Sequence, residues 1–182
     1  MKGGEGLIKL NNEELRIKLN ALQSGDKIAF EEIYNNLKTP IYTIILRITQ
    51  NKSLSEDILQ EVFVKLYQSP PKPSIKNPRA YIFQMARNLA IDNVRKLPQF
   101  TDWENMENIV NLPTDDILHK LDIEHAMETL PLQECQIVSL HINGGLKFRE
   151  IADMMEIPLG TVLWKYQKSL GQLRTILSGG AI

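Results

Sequence analysis

The chain of 182 residues holds one cysteine, Cys135, so no internal disulfide can form, and a reducing cytoplasm is the expected setting. His119, His125 and His141 do not stand at zinc-binding spacing from it, and no metal site is expected. No apolar run is long enough to span a bilayer, and the opening MKGGEGLIKLNNEEL lacks the apolar core of a signal peptide. Glycine-rich phosphate loops and serine nucleophile elbows are missing, as is any grouping of nucleophile, base and oxyanion donors. An enzyme is therefore not expected, nor a cofactor, nor a small-molecule substrate. Strand-type alternation and internal repeats are absent too, which leaves an all-α fold. Net charge is scarce: 21 basic residues against 22 acidic ones give a formal −1.

That average hides an uneven distribution. Between Lys65 and Lys96 stand Lys65, Lys72, Lys76, Arg79, Arg87, Arg95 and Lys96, opposed by Asp92 alone. Between Leu159 and Leu177 stand Lys165, Lys168 and Arg174, with no acid. Asp102, Glu104, Glu107, Asp115 and Asp116 lie between these blocks and face no basic residue. Two basic islands joined by an acidic bridge are an electrostatic footprint for nucleic acid that the whole-chain charge conceals.

Apolar periodicity is helical almost throughout. A first helix is expected from Asn12 to Ser24-Gly25, with Asp26 capping a second, which Pro40 breaks or restarts. Ser53-Leu54-Ser55-Glu56 reads as a capping box opening a helix to Gln68. The run Ser69-Pro70-Pro71-Lys72-Pro73 is a stiff loop, and Asn77 or Pro78 opens a helix to Lys96. Residues 98–114 show little periodicity and read as a linker. Helices resume near 115–129 and 131–142. The expected organisation is two small helical domains, 1–97 and 115–182, joined by the acidic linker 98–114.

The second domain ends in HINGGLKFREIADMMEIPLGTVLWKYQKSLGQLRTIL, residues 141–177. A short helix, Phe148 to Met155, meets a tight turn at Glu156-Ile157-Pro158, and a longer helix follows to Leu177. Ile151, Ala152 and Met155 on the first can pack against Val162, Tyr166, Ser169 or Leu170, Leu173 and Leu177 on the second. Thr161, Lys165, Lys168 and Gln172 then form an outward polar, cationic stripe, the layout of a helix-turn-helix recognition helix.

Three segments together, SEDILQEVFVKLYQ (55–68), NPRAYIFQMARNLAIDNVRK (77–96) and LPLQECQIVSLHINGGLKFREIADMMEIPLGTVLWKYQKSL (130–170), resemble the extracytoplasmic-function class of bacterial RNA polymerase sigma factors. The resemblance implies a two-domain subunit without catalysis of its own. Its implied partners are core RNA polymerase, promoter DNA and, in many members, an anti-sigma factor. Its implied setting is the cytoplasm, on the nucleoid, with a stress or envelope-signal regulon.

The residues carry matching chemistry. Leu54, Ile58, Leu59, Val62, Phe63 and Leu66 form the apolar face of the 55–68 helix. Asp57, Gln60, Glu61 and Val64 lie opposite, and the resemblance makes them the core-polymerase contact. On the 77–96 helix, which resembles the minus-ten reader, Asn88 and Asp92 share an edge able to read an unstacked base, while Arg79, Arg95 and Lys96 supply cations for phosphates. Asp92 could equally pair with Arg95 or Lys96. Tyr81 stands where the family usually carries tryptophan and is either a core residue, beside Ile82, Met85 and Leu89, or a stacking platform. The acidic linker could mimic nucleic acid in the polymerase or serve as a solvated tether. The third segment resembles the minus-thirty-five reader, whose contacts fall on Thr161, Leu163, Trp164, Lys165, Gln167 and Lys168, with Arg149 placed to hold a phosphate. Leu163 replaces a usual basic residue and Trp164 a usual small polar one. Trp164 is either a base reader or a packing cap folded back onto Gly160 or the support helix. A stand-alone DNA-binding regulator is the alternative, but the first domain shows neither ligand pocket motif nor phosphoacceptor.

Overall fold

The computed structural model describes residues 10–72, 74–96, 123 and 125–178. The acidic linker 98–114, the first nine residues and most of the segment 115–124 lie outside them, as does Pro73 in the proline-rich loop. Among the described residues there are seven α-helices longer than two turns and no strand: α1 (Asn12–Gln23), α2 (Lys27–Thr49), α3 (Lys52–Gln68), α4 (Pro78–Lys96), α5 (Leu132–Ile142), α6 (Phe148–Met155) and α7 (Leu159–Leu177). Residues 125–128 add one helical turn before α5.

Side-chain caps set most of the boundaries in the first half. The Asn11 amide oxygen accepts from the backbone N–H of Glu13 (2.9 Å) and Glu14 (3.0 Å), and Glu14 answers by accepting from Asn11 N–H at 2.8 Å. Asp26 caps α2 through Ile28 and Ala29. Two local expectations need correction. The α3 cap is Asn51, which accepts from Leu54 N–H at 2.9 Å, and Ser53 already lies inside the helix. α2 also runs straight through Pro40. A mid-helix proline costs about 3 kcal/mol. The apolar stripe Ala29, Ile33, Leu37, Ile41, Ile44, Ile45 and Ile48 is buried on both sides of it, however, and each large buried side chain contributes about 1.5–3 kcal/mol. Tertiary burial outweighs the local break.

The helices α1, α2, α3 and α4 pack around Leu15, Ile33, Leu37, Ile41, Ile58, Val62, Ile82 and Phe83. This interior does not stop at the expected domain boundary. It continues through Ile137 and Leu140 of α5 into Leu146, Ile151, Met155 and Val162. Every residue of α5 from Glu134 to Leu140 is buried, because the helix packs on α2 and on α7. A second, smaller cluster joins Ala126, Met127, Leu130, Cys135 and Val138 to Leu173 of α7. Cys135 is thus a core residue, and burial pushes its thiol above the usual range.

A polar staple crosses the same junction. Arg79 is 5% exposed; its Nε donates to Gly144 O at 2.6 Å and its Nη1 to Leu10 O at 2.8 Å. At Gly144 an added Cβ would stand 2.5 Å from Leu140 O, so the turn that offers this carbonyl needs glycine.

Candidate nucleic-acid interfaces

α4 buries Ile82, Phe83, Ala86 and Ala90 and turns its next face towards α3 and solvent. That face borders a cavity of about 310 Å³ lined by Lys65, Tyr81, Gln84, Met85, Asn88, Leu89 and Asp92. Asn88 and Asp92 therefore share one hollow, and both are exposed. Asp92 makes no ion pair with Arg95 or Lys96 among the described residues, which leaves its carboxylate as an open acceptor. Tyr81, for which the sequence leaves core and stacking platform open, is 40% exposed and forms part of the wall. Gln84 and Lys65 complete the wall. Tyr81, Gln84 and Asn88 stand at the spacing of one helical face, a signal the sequence carries for Gln84 too, whereas Lys65 comes from α3 and could not be placed from spacing alone.

The cations of α4 divide. Arg95 and Lys96 are exposed in the last turn, where the helix dipole favours positive charge with or without a ligand. Arg79, expected to contact phosphate, is the buried staple described above. Burial pulls its pKa down from the ordinary arginine value, with Glu150 acting in the opposite sense. The first turn of α4 meets the α5–α6 turn, and a guanidinium with several donors satisfies carbonyls from two distant segments there. Arg87 is half-buried, its Nε 3.4 Å from Gln136 of α5.

On α3, Asp57 and Gln60 are exposed and Val64 is 50% exposed, while Glu61 is half-buried and pairs with Lys65 at 2.8 Å. The exposed Tyr67 continues this face one turn further. Its ring meets Phe30 edge-on at 5.1 Å, and Phe30, Tyr34 and Phe63 form the aromatic floor beneath.

In the second half, Glu156 adopts the left-handed conformation (φ 56°) that ends α6, and Pro158 stands at the N-cap of α7. Ile151, Met155 and Val162 lock the two helices, and Tyr166 packs on Phe148 at 4.8 Å and on His141 at 5.0 Å. Leu173 is the last buried residue of α7; Leu177, expected at this interface, is 46% exposed. The outer face carries Thr161 and Lys165, both half-buried, together with Leu163, Trp164, Gln167 and Lys168, all exposed. Arg149 is exposed in the first turn of α6. Trp164 is 60% exposed, and the space beside Gly160 is open, so the indole does not lie over that glycine. Lys168 Nζ lies 5.5 Å from the Trp164 ring centroid and 2.9 Å from Glu134 Oε1. Among the described residues no three potential metal ligands gather, and no helix is long and apolar enough to cross a membrane.

Comparison with known proteins bears on both halves. Residues 33–98 match the family model of sigma-70 region 2, and residues 120–167 match that of sigma-70 region 4. The chain is 28% identical over 136 residues to the ECF RNA polymerase sigma factor SigM of Bacillus subtilis, a match that covers 71% of this chain and 83% of the relative. It is 24% identical over 177 residues to SigK of Mycobacterium bovis, covering 91% and 95%. Its fold is similar to that of CnrH, solved in complex with the cytosolic domain of CnrY (TM-score 0.64, 15% identity, 91% of this chain and 98% of that one). It is also similar to the sigma factor RpoE of Bartonella quintana, solved with the anti-sigma factor NepR (TM-score 0.67, 18% identity, 82% and 97%). The two matched regions, in this order, span more than half of the chain, and the chain belongs to the sigma-70 family of RNA polymerase sigma factors, in its extracytoplasmic-function class.

Proposed function

We propose that the chain, a sigma factor that directs RNA polymerase to promoters, divides that work among three faces. The outer face of α3, with Asp57, Gln60, Glu61 and Val64, docks on core polymerase. The apolar Val64, set among acids, seats against an apolar partner surface, and the carboxylates meet basic groups around it. The hollow on α4 takes an unstacked base of the minus-ten element, read by Asn88 and Asp92, while Arg95 and Lys96 hold phosphates. The outer face of α7, with Thr161, Leu163, Trp164, Lys165, Gln167 and Lys168, faces the minus-thirty-five element in the major groove, and Arg149 lies towards its backbone. Residues 1–97 are thus the polymerase-binding and minus-ten unit, residues 115–182 the upstream-reading unit, and 98–114 the acidic connection. The protein acts in the cytoplasm, on the nucleoid, and an anti-sigma factor is the expected regulator.

The observation that carries this reading is the cavity that unites Asn88, Asp92 and Tyr81 beside Lys65. It gives a base out of the stack a place to go. The test is transcription from a double-stranded promoter library by core polymerase with and without the pure chain. Promoter-specific transcripts are expected only with both. Tight operator binding by the chain alone, with no transcripts from a competent core, would sink it. Reversing Asp57 and Glu61 to lysine should weaken core binding by about 1–3 kcal/mol while leaving helix content unchanged, because both residues lie outside the buried face of α3.

A further inference from the structure

Glu134 is an acid in an unusual place. It sits in the first turn of α5 with its side chain 3% exposed. The helix dipole favours negative charge there, but a buried carboxylate still needs partners. It finds them on the recognition helix: Lys168 Nζ donates to Oε1 at 2.9 Å, and the Ser169 hydroxyl stands 3.2 Å from Oε2. The same Nζ lies 5.5 Å from the centroid of Trp164, one turn earlier on α7. A lysine on the outer face of a recognition helix is ordinarily a free point charge for phosphate. This one is held from below by a fixed carboxylate and lies against an indole. The indole is 60% exposed, and neither Gly160 nor the core covers it.

We propose that Glu134 and Lys168 form a strut that fixes Trp164 as the base-reading group of α7, with the indole against the C5-methyl group of one upstream thymine and Lys168 making no phosphate contact. The inference rests on the reading that α7 faces the upstream promoter element. Thymine is the partner because its methyl is the one apolar feature a base pair offers in the major groove. Glu134 and Lys168 are positioning residues: Glu134 holds the ammonium, and the ammonium holds the ring by cation–π attraction.

The test uses holoenzyme assembled from the full chain and core polymerase, on a promoter recovered from the double-stranded library. Each upstream thymine is replaced in turn by deoxyuridine, which removes the methyl alone. One replacement should weaken binding about fourfold, the worth of one buried methyl group, and the same replacement should be silent for Trp164→Ala. Glu134→Gln keeps the shape of the strut but frees Lys168. It should shrink the methyl effect and steepen the dependence of log affinity on log salt by about 0.9, one phosphate contact. Glu134→Gln with Lys168→Gln should restore the wild-type slope without restoring the methyl effect. An unchanged slope in Glu134→Gln overturns the proposal, and so does a slope flattened by one contact in a folded Lys168→Gln protein. Promoter-specific transcripts with no methyl effect at any upstream thymine sink the strut alone. No specific transcript at all counts instead against the reading of α7 beneath it. Thermal midpoints measured on every variant separate these outcomes from misfolding.

Discussion

The hollow of α4 and the ridge of α7 differ in shape more than in chemistry. Both carry amide, aromatic and cationic groups. On α4 the aromatic and polar residues wall a cavity of about 310 Å³, at the small end of ligand-site volumes. On α7 the aromatic residue stands out from the helix, 60% exposed. A base inside a duplex cannot enter a hollow, because its faces are stacked and its edge is paired; an unstacked base can. A convex helix is the shape that enters a major groove about 12 Å wide. The concave surface therefore suits melted DNA and the convex one intact duplex. A single chain carrying both can hold the two sides of an opening event.

The same contrast runs inside α4, between its two ends, and gives the largest expected effect. Arg79 opens the helix and is buried on two carbonyls; Arg95 closes it and is exposed. Arg79→Ala leaves the Gly144 and Leu10 carbonyls without their charged donor. It should cost about 2–3 kcal/mol of stability, read as a lower urea midpoint, with all promoters weakened together. Unchanged stability combined with a loss confined to promoter binding would return Arg79 to the phosphate track.

Tyr81 and Trp164 test the comparison directly. Tyr81→Ala should weaken holoenzyme binding to single-stranded minus-ten DNA by about 1–3 kcal/mol, the usual worth of a base stacked on an aromatic side chain. Affinity for an upstream duplex fragment should stay the same. Trp164→Ala should show the reverse pattern, with about 1–3 kcal/mol lost in discrimination at one upstream base pair. Both rings are well exposed, so neither change should move the thermal midpoint much. If Tyr81→Ala damaged only duplex binding, the concave surface would not be a base pocket.

Much of the scaffold was legible in the sequence because it is local. The bounds of α6 and α7 follow from apolar spacing and from Pro158, and the structure places them at Phe148–Met155 and Leu159–Leu177. Local rules failed where distant contacts decide. Pro40 reads as a break, yet α2 continues because its stripe is buried on both sides. Arg79 reads as a surface cation, and its acceptors lie 65 and 69 residues away. Glu134 carries no local signal, since its partners Lys168 and Ser169 stand on another helix. Tyr81 reads as core or as a stacking platform because it sits at the edge of the apolar stripe, where spacing does not separate a wall from an interior. The two basic blocks and the acidic stretch between them are written in the charge pattern. The core that runs from α2 through α5 into α6 is not, because α5 is buried on nearly every side, its polar Glu134, Gln136 and Ser139 included, and its periodicity does not reveal which neighbours it serves.

The smallest expected effect belongs to Arg95, the exposed counterpart of Arg79. Its side chain makes no ion pair among the described residues, so Arg95→Ala should change stability by less than about 0.5 kcal/mol. Its charge nonetheless stands beyond Asp92, at the end of the helix that borders the hollow, and a strand whose base enters that hollow must pass its backbone nearby. Arg95→Ala should weaken promoters of every sequence alike, and it should flatten the slope of log affinity against log salt by about 0.9, one released counterion. The change in slope is the decisive reading, since a general loss of affinity could also come from a loosened helix end, and that would leave the slope intact. An altered base preference at the minus-ten element would mean instead that Arg95 reads a base edge, and the division between readers and phosphate holders on α4 would have to be redrawn.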